Sequence, residues 1–108
     1  MEPNYPMLQA LALLDDDLAG RMPLVQALKT LETLQLAAHA HPQEWQRALA
    51  TRSLQVIQNW LLDISIGIVV LGLYEQARQI HTVLPGVALL PMQVQRIEDM
   101  IEQCRKET

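Results

Sequence analysis

The side chains here with the most specific chemistry are three histidines, one cysteine and a run of aspartates. His39 and His41 bracket Ala40, and a His-x-His pair invites a metal ion. A closed transition-metal site needs several converging ligands, and only His81 and Cys104 could add to the pair, at unconnected spacings. On a helix, side chains two apart diverge, so the pair is expected to be solvated turn histidines. Asp15, Asp16 and Asp17 suggest calcium, but the loop glycine and the bidentate glutamate of a calcium-binding loop are missing. A solvated acidic corner is the expectation. Ser53 and Ser65 fall within apolar helical patterns, and the sequence carries no phosphate loop, dinucleotide fingerprint or nucleophile elbow. Cys104 would need a nearby base to ionise, whereas its neighbours at helical spacing are Met100, Ile101 and Glu98. It is expected to act as a small hydrophobe. No catalytic residue, cofactor or metal is expected, and the chain is read as non-enzymatic.

The elements that carry these residues follow from composition. The chain has 108 residues, half of them hydrophobic, with 4% aromatic and no Phe. Leu, Ala, Ile, Val and Met with Gln as the main polar partner favour packed helices over sheet, so the expected class is all-α, in a single helical domain over 1–108. Lys+Arg 8 against Asp+Glu 12 gives a net charge of -4, and Arg21, Lys29, Arg47, Arg52, Arg78 and Arg96 are scattered, so no nucleic-acid partner is expected. The N-terminus has no positive n-region, and the lone Cys104 implies no internal disulfide, so a cytoplasmic location is expected. The most apolar window, 60–73, contains Asp63, Gly67 and Gly72 and falls short of the roughly 20 residues that cross a bilayer.

Periodicity divides the chain into helices. Asn4 and Pro6 suit the start of a short helix with Met7, Leu8, Leu11, Leu14 and Leu18 on one face, ended by Gly20. Pro23 opens a second, whose stripe is Leu24, Leu28 and Leu31, widened by Val25, Ala27 and Leu36 and ended by the segment 37–42. Pro42 opens a third, with Trp45, Leu49, Val56, Ile57, Trp60, Leu61 and Ile64 in one continuous stripe. The second and third helices are expected to form an antiparallel hairpin. Residues 64–71 are expected to continue as a buried helix, because a single strand would have nothing to pair with. Gly72 precedes a helix through Ile80, Val83 and Leu84 that stops at Pro85-Gly86, and Pro91 opens the last, with Val94, Ile97, Ile101 and Cys104 on one face.

These stripes hold more apolar surface than a small domain easily hides. Either all of it packs internally, or part forms a groove for a partner helix. On the second reading the expected partner-binding residues are Leu71, Tyr74, Ile80, Val83, Val94, Ile97, Met100 and Ile101.

Gly72-x-Tyr74-x-x-Ala77, preceded by an apolar helix and followed by Pro85, resembles the middle of a tetratricopeptide repeat, where Gly makes the turn and Tyr packs across the helix pair. Leu14-Asp15 with Gly20-Arg21, the stripe Leu24, Leu28 and Leu31, and His41-Pro42-Gln43-Glu44-Trp45 followed by Leu54, Ile57 and Leu61 resemble the helical-hairpin co-chaperones of bacterial type III secretion needles. Members of that system pair such a hairpin with a tetratricopeptide-like partner, and together they cradle the amphipathic helix of the needle subunit in the cytoplasm. The resemblance implies a non-catalytic chaperone or adaptor, with Leu71, Tyr74 and the Ile80 face lining the groove and a small secreted subunit, with a possible co-chaperone, as partners. A second resemblance competes with it. Residues 10–15 with Arg21, Trp60-Leu61-Leu62-Asp63 and Ile97-Glu98-Asp99-Met100-Ile101 are similar in order to the C-terminal collar domain of the clamp-loader delta-prime subunit of bacterial DNA polymerase III. That resemblance implies a helical scaffold or oligomerisation domain.

Overall fold

A computed structural model describes residues 5–16 and 22–107 of the chain. Among these the protein is all-α, with no strand. The helices are α1 (Tyr5–Asp16), α2 (Leu24–Ala40), α3 (Pro42–Ala50), α4 (Leu54–Val70), α5 (Tyr74–Gln79) and α6 (Pro91–Glu107), with a 3₁₀ turn at Ile80–Thr82. Asn4, Asp17, Leu18, Gly20 and Arg21 lie outside the described residues.

Prolines set the boundaries. Pro23 sits just ahead of α2 in an extended conformation, and Pro42 and Pro91 each occupy the first position of a helix, where no N–H partner is needed. The face of α2 that turns inward carries Ala27, Thr30, Leu31, Leu34, Ala37 and Ala38, while Val25 and Leu36, expected to widen the stripe, are exposed. Helix α1 packs along α2 through Met7, Ala10, Leu11 and Leu14, all buried. Its exposed Asp15 accepts from Arg52 Nη2 at 3.2 Å, which ties the end of α1 to the α3–α4 corner.

That corner corrects the expected continuous third helix. The helical run breaks after Ala50, and α3 and α4 meet at 108°. Thr51-Arg52-Ser53 is the cause: the Thr51 hydroxyl donates back to the Ala48 carbonyl at 3.0 Å, and Ser53 turns to an extended ψ of 122°. The bend carries Trp45 and Ile57 into the same core from two directions, which a straight helix could not do. The expected hairpin of two long helices is therefore replaced by α2 followed by a short α3 and a reoriented α4.

Helix α4 is the centre of the second half and contacts α2, α5 and α6. Asn59, near its start, accepts from Gln93 in the first turn of α6 at 3.3 Å, and the two helices run side by side in the same direction. Helix α5 is shorter than expected: it ends at Gln79, and Ile80 begins the 3₁₀ turn. The loop 83–90 then folds over α3 and α4, with Leu84, Val87 and Leu89 buried. Gly86 makes its turn at φ 75°, a conformation that favours glycine. Two buried side chains hold this loop: the Trp45 indole N–H donates to the Pro85 carbonyl at 2.7 Å, and the Gln58 amide donates to the Ala88 carbonyl at 2.7 Å.

No single helix among the described residues is long and apolar enough to cross a membrane. The pair α3 and α4 together has the length, but Ile57, Leu61, Ile64 and Ile68 of α4 are buried in the core.

Candidate functional site

Among the described residues no three of His, Cys, Asp and Glu come together in a way that could hold a metal ion. His39 and His41 are exposed at the α2–α3 turn, and His81 stands in the 3₁₀ turn. The Ser65 hydroxyl is fully buried and donates to the Leu61 carbonyl at 2.9 Å, so it is engaged within its own helix. Ser53 is exposed ahead of α4.

Apolar surface does converge, at the end of α4. The helix closes in a Schellman arrangement: the Gly72 N–H donates to the Val69 carbonyl at 2.9 Å and the Leu73 N–H to the Ile68 carbonyl at 3.0 Å, with Gly72 at φ 84°. This turn throws the chain sharply into α5 and leaves Val70, Leu71 and Leu73 outside the core, at 67%, 62% and 42% exposure. The last turn of α6 arrives beside it. Together they form a depression of about 730 Å³, lined by Val70, Leu71, Gly72, Tyr74, Met100, Gln103, Cys104 and Glu107.

Of the eight residues expected to bind a partner, Leu71, Tyr74 and Met100 meet in this depression. The other five do not. Ile80, Ile97 and Ile101 are core residues, at 7%, 1% and 1% exposure, because the centre of each stripe faces α4 and only its edge reaches the surface. Val83 and Val94 are half-buried against that core and lie away from the depression. Sequence reading missed Gln103, Cys104 and Glu107 as lining residues, although they follow Met100 at positions three, four and seven, the spacing of one helix face. Val70 was missed because a run of apolar residues does not mark where its helix leaves the core.

Charges around the depression are mostly committed elsewhere. The Arg105 guanidinium lies 5.3 Å from the centroid of the Tyr74 ring and holds that ring by a cation–π contact. Arg78 donates to Glu98 at 2.9 and 3.2 Å and to Glu75 at 2.6 Å, clamping α5 to α6. The hydrogen bond from Arg78 holds the Glu98 carboxyl below its usual range, and the same bond raises the Arg78 pKa. Lys106 pairs with Glu102 at 3.4 Å. Among the described residues, Glu107 is the one charged residue in the lining itself.

A smaller depression of about 200 Å³ between α1 and α2 is edged by Gln9, Gln26, Lys29, Thr30 and Thr33 and offers less apolar wall. The depression at the end of α4 is the larger of the two and has more apolar wall. No family model matches the chain, and no curated protein and no solved structure matches it.

Proposed function

We propose that this protein is a non-catalytic chaperone or adaptor that holds an amphipathic helix of a protein partner in the depression at the α4–α5 turn. The observation that carries the reading is the exposure of Val70 and Leu71 beside Tyr74 and Met100 in one depression, where solvent would otherwise cover adjoining aliphatic side chains. Such a face fits the helix-in-groove mode, in which residues spaced three and four apart on the partner enter an apolar channel. The resemblance to type III secretion needle chaperones supports a small export subunit as that partner, kept from polymerising before export.

Co-expression with a needle-type subunit followed by size exclusion tests the proposal. A co-eluting complex is expected, lost on Leu71→Asp or Tyr74→Ala while urea titration shows both variants folded. Separate elution of the two chains overturns the needle assignment, and co-purification with clamp-loader subunits would replace it with the scaffold role.

A further inference from the structure

Of the five joints between the described helices, the one between α3 and α4 alone contains neither Pro nor Gly. Prolines stand at or just ahead of the start of α2, α3 and α6, and Gly72 turns the chain from α4 into α5. Helix α4 opens instead on Ser53, whose side chain makes no capping bond. Nothing in residues 43–66 forbids a helix. Thr51 already lies in the right-handed helical region, at φ -96° and ψ -2°, and its bond to the Ala48 carbonyl is one that a threonine inside a helix also makes. The path departs from helical at Ser53, with ψ at 122°. Locally the chain is as fit for one helix of about 29 residues, roughly 43 Å long, as for two.

The corner carries a cost. Arg52 reaches Asp15 through Nη2, but its Nε is buried with no hydrogen-bond partner among the described residues. The bend is held from a distance. Helix α3 packs on α2, and α2 on α1, whereas α4 packs on α5, α6 and the 3₁₀ turn. Between the two sets stand the contacts of α2 with α4, where Leu24 comes within 3.0 Å of the place a Cβ on Gly67 would take, and the seat of Trp45 and Leu49 against the loop 83–90. Each of these contacts joins a residue before the corner to a residue after it.

We propose that the α3–α4 corner is an exchange hinge, and that the partner it fits is a second copy of this chain. Straightening joins α3 and α4 into one helix in each copy, and α1–α3 of one copy packs on α4–α6 of the other. The dimer remakes in trans the contacts that the monomer makes across the corner, Trp45 to Pro85 included, so no new complementary surface is needed. It gains the helical backbone bonds that the corner interrupts and loses the corner that buries Arg52 Nε. It costs association, so the balance moves with protein concentration. The depression at the end of α4 is lined only by residues 70–107 and passes intact into such a dimer, so the exchange does not rest on the docking role.

Refolding the full chain from urea at high and at low protein concentration, followed by sedimentation velocity, tests the proposal. A dimer is expected from the concentrated sample, and hydrogen exchange should show the amides of 53–55, at the open start of α4 in the monomer, protected in it. Leu54→Pro should abolish the dimer and leave a folded monomer. The first position of a helix accepts proline, Ser53 ahead of it already has the extended ψ that proline requires, and Leu54 is exposed, but the ring bars a continuous helix. Thr51→Ala with Ser53→Ala, which favours helix across the joint, should raise the dimer fraction about five-fold, and this pair decides the matter should the proline variant fail to fold. A monomer at every concentration for both the unaltered chain and the alanine pair overturns the proposal. So does a dimer that survives Leu54→Pro, or one that Leu71→Asp breaks, since either would belong to another surface.

Discussion

Two apolar regions of this molecule begin from similar sequence and end differently. Around Trp45, aliphatic side chains of α3, α4 and the loop 83–90 are sealed, and the loop is held down by the bonds from Trp45 to Pro85 and from Gln58 to Ala88. At the end of α4, Val70, Leu71 and Leu73 are as apolar, yet among the described residues no segment lies over them. The difference does not lie in hydrophobicity. It lies in whether a buried polar group is in place to satisfy the backbone of a covering segment, since a loop without hydrogen-bond partners is costly to bury. Trp45 and Gln58 supply those donors to one region; the other is left open and forms the candidate binding face.

Breaking the sealed region should have the largest effect. Trp45→Ala removes a fully buried ring and the donor to Pro85, and urea denaturation is expected to show a loss of about 3–5 kcal/mol. Hydrogen exchange of the amides in 83–90 should rise with it; unchanged exchange there would mean that the loop is held by other contacts. Gln58→Ala tests the second tether. It leaves the Ala88 carbonyl without its donor, and a loss of about 1–3 kcal/mol is expected from the same titration.

In the open region the same measurement should barely move. Leu71→Asp alters an exposed side chain and is expected to shift stability by no more than about 0.5 kcal/mol, while abolishing partner capture. A large destabilisation by Leu71→Asp would instead make that residue part of the core and erase the contrast.

The smallest effect concerns the clamp beside the open region. Glu98 has its pKa lowered in the folded protein by the hydrogen bond from Arg78, with Arg105 adding to it and Asp99 opposing it. The stability it contributes is therefore present above the carboxyl's unfolded value, about 4.3, and is lost as pH falls through the lower folded value. Because the pair is solvent-accessible, the loss on acidification should be slight, and Glu98→Gln should remove it from the acid limb of a thermal melt.

Much of this architecture was legible along the chain. Pro42 and Pro91 begin helices where expected, Pro85-Gly86 lies in the loop after α5, and Met7, Leu11, Leu14, Leu31, Ile57, Leu61, Ile97 and Ile101 are core residues at helical spacing. The break at Thr51-Arg52-Ser53 was not legible, since the apolar spacing continues in phase across it and only the polar character of that one turn hints at a corner. The candidate site was legible in part. Leu71 and Tyr74 flank a glycine that must turn, whereas Cys104 and Glu107 reach the depression only because α6 runs beside α4 in the same direction.

The sequence by itself determined the all-α class and most helix starts, because proline's fixed φ and missing N–H act within a turn of where they occur. It also determined which positions are apolar. The tertiary structure alone decided which of those positions are covered, because the covering bonds join Trp45 to Pro85 and Gln58 to Ala88, residues 40 and 30 apart along the chain, and no local rule places such partners together.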